Sequence, residues 1–164
     1  METLQALVVT PENLLSAWQG NRRLTRKVIE AFPEEALFSY SLGGMRPFSD
    51  MVFELVGLSH GIGGIATGQW PTSVELFAPG DPAKPATKAA LLALWDQTTD
   101  LINETWPTIP AERFQESDLS FGMWQGRIWW LLFYWSDNEV HHRGQGYVYL
   151  RTLGIEPPAF WDRA

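Results

Sequence analysis

Asn138 and His142 stand four residues apart near the end of a long apolar pattern, and in a helix that spacing puts both side chains on one face. Steps of three and four toward the N-terminus from Asn138 meet Trp135, Leu131, Ile128 and Trp124. The pair therefore continues a stripe expected to point into the protein. An imidazole or amide buried without a partner costs roughly 1–3 kcal/mol. A metal ion is one partner that satisfies both, and a core hydrogen bond is the plainer alternative. The chain has three histidines: His141 and His142 lie here, and His60 sits far upstream in a different helical pattern. His141 falls about 100° round the helix from His142, a rim position. Ser59 beside His60 is no sign of a Ser-His-Asp triad, because helix neighbours do not face each other. Cysteine is absent, which excludes disulfides, thiolate zinc sites and a cysteine nucleophile.

Four long helical patterns must position these residues. The first follows Thr10-Pro11-Glu12, an N-cap with Pro at the first helical position, and ends at Pro33. Leu14, Leu15, Trp18, Leu24, Val28, Ile29 and Phe32 give its inner stripe. Ser39 to Pro47 is a Gly-rich connector. The second helix starts near Phe48-Ser49-Asp50 and carries His60 toward its end, with Gly57, Gly61, Gly63 and Gly64 inside it. Three accounts of these glycines stay open: close approach of another element, room for a ligand beside His60, or a broken helix. Pro71 to Pro85 reads as a loop covering one end of the bundle. Thr87 caps the third helix, whose inner side runs through Leu91, Trp95, Thr98, Ile102 and Trp106. Pro107 to Gly126 is a second long connection, in which Phe114-Gln115 and Leu119-Ser120-Phe121 are expected to pair as a short hairpin. The fourth helix is expected from about Gln125 to Leu153, with Gly154 as its stop and Pro157-Pro158 beyond. Trp129, Trp130, Tyr134 and Trp135 read most simply as core. This pattern predicts an all-α fold, a single four-helix bundle over residues 1–164 with long crossover connections rather than an up-down-up-down hairpin bundle.

The 164 residues suit one domain able to bury a sizeable core. A net charge of −7 argues against nucleic acid as a partner. Arg22, Arg23, Arg26 and Lys27 cluster on one helical face and read as a solvated face. The longest apolar run, from Ile128 to Trp135, is far short of the roughly 18 residues of a membrane span. Met1 to Leu7 lack a basic n-region and a long apolar core, so no signal peptide is expected, and the absence of cysteine fits a cytoplasmic location. Nine tryptophans and nine phenylalanines promise an aromatic core, with some lining a small-molecule pocket. The same aromatic load leads us to expect a homodimer through exposed apolar surface.

The stretch Asp137 to Gln145, followed by Tyr147 to Gly154 and then Pro157-Pro158-Ala159-Phe160-Trp161, resembles the C-terminal signature of the DinB-like family. The His-Arg-Gly-Gln core in a helix and the Leu-Gly…Pro-Pro-x-aromatic exit carry the resemblance. Arg46-Pro47 before the second helix and a lone His late in it fit the same pattern. The resemblance implies a four-helix bundle holding a divalent metal, zinc or nickel, with a His triad: one ligand from the second helix and two from an HxxxH turn of the fourth. It also implies a metal-dependent hydrolase or a thiol S-transferase acting with a low-molecular-weight thiol. Carried over, the ligands are His60, Asn138 and His142, with Asn138 where the family has the first His of HxxxH. An amide oxygen suits zinc or nickel less well than imidazole, so the metal is bound weakly, exchanged for a harder ion, or lost. The alternative to an enzyme is a non-catalytic stress-response binding module that keeps the bundle and its pocket. Arg143 reads as structural, paired with an acid such as Glu54.

Overall fold

The structure, a computed structural model, describes residues 8–164. The segment read for a signal peptide lies outside the described residues. Helix α1 spans Pro11–Ala31. The Thr10 hydroxyl accepts from the Asn13 backbone N–H at 3.2 Å and the Asn13 side chain accepts from the Thr10 N–H at 3.1 Å, a reciprocal cap that fixes its start. A short helix α2, Glu34–Ser39, follows Pro33. Helix α3 spans Phe48–His60, and the chain breaks at Gly61 before a short α4, Ile62–Thr67. Thr87 caps α5, Lys88–Thr105, with its hydroxyl on the Ala90 N–H. Two 3₁₀ turns then lead into a hairpin of β1, Ser117–Ser120, and β2, Trp124–Arg127, and straight into α6, Ile128–Thr152. Gly154, at φ 76°, ends α6 in the left-handed conformation that only glycine adopts at little cost.

Helices α1, α3, α5 and α6 form the bundle. Helix α6 packs on α1 and α3, and α5 packs on the same two from the other side. Two apolar clusters fill the interior. One gathers Trp18, Leu58, Ile62, Ile102, Ile128 and Trp135; the other gathers Val28, Phe32, Phe48, Val52, Trp95 and Tyr149. Helices α1 and α6 run from the first cluster to the second, and α3 and α5 run the opposite way. Two neighbouring helices with the same direction need a long return, which the segment between α4 and α5 provides. The bundle is therefore all-α with crossover connections, as the pattern predicts. Between the clusters lies a belt of buried polar groups: Asn21, Arg22 and Thr25 of α1, Ser59 of α3, Thr98 of α5, and Glu139, His142 and Arg143 of α6.

Several expectations change. The hairpin pairs Ser117–Ser120 with Trp124–Arg127, not Phe114-Gln115 with Leu119–Phe121. The start expected for the fourth helix is thus strand, because Gly122 and a positive φ at Phe121 make a tight turn there. Gly57, Gly61 and Gly64 answer to close approach, whereas Gly63 faces open space. A Cβ on Gly57 would lie 1.7 Å from the Val74 carbonyl oxygen, and one on Gly61 would meet Trp135 and Phe121 at 2.7 and 2.8 Å. Protein atoms, not a ligand, fill that room, and the helix also breaks at Gly61. Of the aromatics at the start of α6, Trp135 is core, while Trp130 and Tyr134 are 45% and 44% exposed. The basic face of α1 is not simply solvated. Arg22 is buried, bonded to Ser59, Thr99 and the Trp95 carbonyl, while Arg26 forks onto Asp96. Among the described residues no helix is long and apolar enough to cross a membrane.

Candidate functional site

Where α3 meets α6, three side chains converge on Glu54. Asn138 donates through Nδ2 to Glu54 Oε1 at 3.0 Å, and His142 Nε2 lies 3.3 Å from the same oxygen. The other oxygen, Oε2, accepts from Arg46 Nη2 at 2.6 Å. Helical spacing explains the α6 side of the contact: Asn138 and His142 are one turn apart in α6, so both side chains reach one point on the neighbouring helix. Arg46 lies two residues before α3 and reaches Glu54 from outside that helix. Tyr149, buried in α6, donates its hydroxyl to the Arg46 carbonyl at 2.8 Å and so ties the entry of α3 to α6.

These contacts hold the Glu54 carboxyl at about 2, against the usual 4.5. The His142 hydrogen bond is the largest cause, burial opposes it, and Asn138 and Arg46 add to it. Glu54 is therefore a carboxylate at neutral pH. The orientation of His142 follows from Gln145, whose Oε1 lies 2.7 Å from Nδ1 and whose amide nitrogen faces the Met45 sulfur at 3.2 Å. Which ring nitrogen carries the proton follows the orientation of the Gln145 amide, and a proton on Nε2 makes His142 the donor to Glu54 that lowers its carboxyl. A cation in place of that proton would bridge the same two atoms.

The cluster opens onto a cavity of about 530 Å³. Glu54, Asn138 and Arg46 are among its polar lining, with Asp50, Glu75 and Lys84, and Phe53, Phe77, Trp124 and Tyr134 are among its apolar walls. The segment from Val74 to Gly80 makes its outer wall and lies against α3 at Gly57.

Of the three residues carried over as ligands, the structure brings Asn138 and His142 together and sets Glu54, not His60, with them. His60 is six residues beyond Glu54 on α3. That is about 9 Å along the axis and about 120° away in direction. Its Nδ1 lies 2.9 Å from the Val56 carbonyl, one turn back. Arg143 does not pair with Glu54 but bonds Asn21 and Thr25 on α1. Glu54 was hard to find from sequence, because one carboxylate in mid-helix reads the same as a solvated position. Arg46 and Gln145, which hold Glu54 and His142 in place, stood in the sequence only as parts of the family resemblance, with no role of their own. His141 is exposed, a rim position as expected.

Among the described residues, no group of three or more His, Cys, Asp or Glu is arranged to hold a metal ion. The cluster has one carboxylate and one imidazole, and its third member is an amide. The donors nonetheless fit a divalent ion. Two ligands each about 2.0–2.2 Å from a shared ion stand roughly 3.0–3.5 Å apart, and Glu54 Oε1 and His142 Nε2 are 3.3 Å apart. Turning the Asn138 amide end for end would offer its oxygen in place of its nitrogen.

Residues 2–163 match the DinB family. The chain belongs to the DinB family. Its fold is similar to that of a DinB-like protein from Bacillus cereus ATCC 10987, solved by crystallography, with a TM-score of 0.70 over 90% of this chain and 95% of that one. Sequence identity is 16%, so the likeness concerns the bundle itself. No curated protein matches the chain.

Proposed function

We propose that this DinB-family chain is a divalent-metal-dependent enzyme of the thiol S-transferase or hydrolase type, with Glu54, Asn138 and His142 as its metal-holding residues. The observation that carries this reading is a carboxylate oxygen, Glu54 Oε1, and an imidazole nitrogen, His142 Nε2, facing each other at 3.3 Å beside a cavity large enough for a small molecule. Zinc or nickel suits the imidazole, and the two oxygen donors extend the choice to harder ions such as manganese. When bound, such an ion supplies Lewis-acid chemistry, polarising a carbonyl or lowering the pKa of a thiol or water. Glu54 brings the negative charge. Arg46 occupies Oε2 and leaves Oε1 for the shared point. Gln145 holds the imidazole so that Nε2 faces the cluster, the outer-shell role that orients metal-binding histidines. Phe53, Phe77, Trp124 and Tyr134 exclude water and receive an apolar body next to the polar end.

A second reading has its own observation. The Asn138 amide already satisfies Glu54 without an ion, and a proton on Nε2 would complete the cluster. That favours a non-catalytic binding module with the same cavity. The two differ in what sits between Glu54 and His142. Elemental analysis of untagged protein, followed by calorimetric titration with zinc, nickel and manganese, separates them. About one ion per chain, lost in Glu54→Ala and in His142→Ala, is the expected result. Wild-type protein that takes up none of the three ions in the micromolar range would leave the binding module standing.

A further inference from the structure

Helix α6 carries two interleaved pairs at four-residue spacing. Asn138 and His142 face α3, while Glu139 and Arg143, one residue on in each case, face α1. We propose that the second pair, with Thr25 and Asn21 of α1, is a positioning device that sets the roll of α6 and so aims Asn138 and His142 at Glu54. The proposal rests on the reading of Glu54, Asn138 and His142 as the site.

The contacts are short, buried and directional. Thr25 donates its hydroxyl to Glu139 Oε1 at 2.6 Å. Arg143 donates through Nη1 to the Asn21 carbonyl and the Thr25 hydroxyl, both at 3.2 Å, and through Nη2 to Asn21 Oδ1 at 3.1 Å. Glu139 and Arg143 are only 2% and 5% exposed. Their own ion pair is loose at 3.9 Å, so each is held chiefly by α1 rather than by the other. Burial pushes the Glu139 carboxyl up, and Arg22, Thr25 and Arg143 act against that.

Along α6 the apolar stripe toward α1 and α3 is interrupted by the polar belt between Trp135 and Gly146, which packs on Phe48. A side-chain tip about 5–6 Å from a helix axis moves roughly 2 Å for a 20° roll. Such a movement would break contacts of 3.0 and 3.3 Å to Glu54 while leaving the bundle folded. Hydrogen bonds from a guanidinium fork to fixed acceptors resist it, because they tolerate little angular error.

The test separates holding the fold from aiming the site. The double variant Glu139→Leu/Arg143→Met removes a carboxylate and a guanidinium together but leaves Thr25, Asn21 and Arg22 without these partners, so it is expected to fold with a melting temperature below that of wild type. Its crystal structure is expected to show Asn138 and His142 displaced from Glu54 by more than 1 Å, and its zinc affinity to fall at least tenfold. Glu139→Gln keeps an acceptor for Thr25 and is expected to keep both geometry and affinity. A folded double variant with wild-type distances to Glu54 overturns the proposal. Should the double variant not fold, Thr25→Val decides by the same distances. If wild-type protein binds no zinc, the crystallographic distances still decide the positioning role, and only the metal reading falls.

Discussion

His142 Nε2 lies 3.3 Å from Glu54 Oε1, across the packed surfaces of α6 and α3. Each atom is held in place by a further side chain. Gln145 turns the imidazole, Arg46 turns the carboxylate, and Tyr149 fastens the start of α3 to α6. This contact puts Glu54 of α3 beside His142, while His60 lies six residues further along the helix.

Glu54→Ala is expected to lower zinc or nickel affinity at least tenfold, which corresponds to about 1.4 kcal/mol. His60→Ala is expected to change it by less than twofold, because His60 lies six residues beyond Glu54 on α3, about 9 Å along the axis and about 120° away in direction. Calorimetric titration of both variants checks this. The reverse order of effects would return the ligand role to His60.

Asn138→His should raise zinc or nickel affinity at least tenfold, about 1.4 kcal/mol. Asn138 and His142 already reach the same oxygen of Glu54, so an imidazole at 138 adds a nitrogen at that point. Two histidines and a glutamate form a known catalytic zinc set. Added ion should also raise the melting temperature of this variant by mass action, and His142→Ala in the same background should remove the effect. An unchanged affinity would mean that residue 138 does not aim at the ion.

Metal-free protein should lose stability in acid through Glu54. The folded carboxyl is at about 2 and the unfolded one near 4.5. Between those values the unfolded state binds more protons, so stability falls as pH falls through that window and is fully present above it. With 29% of the side chain exposed, solvent screening reduces the contribution to about 1–2 kcal/mol. Chemical denaturation from pH 6 to pH 2 should show a steeper decline for wild type than for Glu54→Gln. Parallel curves would assign the acid sensitivity to other groups.

Gly57→Ala should destabilise the protein and loosen the outer wall of the cavity. The helix gains up to about 1 kcal/mol in propensity, but the new Cβ would sit 1.7 Å from the Val74 carbonyl oxygen, a backbone atom. The wall must shift, so faster cleavage within residues 71–85 by limited proteolysis should accompany a lower melting temperature. Gly63→Ala, with nothing within 4 Å of its Cβ, should instead be neutral or stabilising. Equal melting temperatures for the two variants would contradict the close approach.

The sequence by itself determined the bundle. Periodic Leu, Val, Ile and Trp, the Thr10 and Thr87 caps, and the Gly154 stop are local codes, and each holds in the structure. It also marked Asn138 and His142 as partners, because four-residue spacing fixes a shared direction within one helix. What it did not determine is anything set by how one helix faces another. Glu54 and His60 differ by six residues on α3, and only the rotation of α3 against α6 decides which one meets the pair. Arg22 shows the same limit. In a run with Arg23, Arg26 and Lys27 it reads as one more surface cation, yet it lies buried among Ser59, Thr99 and Trp95. Charge type is visible in a sequence; the partner that makes burial of a charge tolerable comes from another helix, about 37 to 77 residues away along the chain. Local propensity places side chains around an axis, and tertiary packing alone chooses which axis lies opposite.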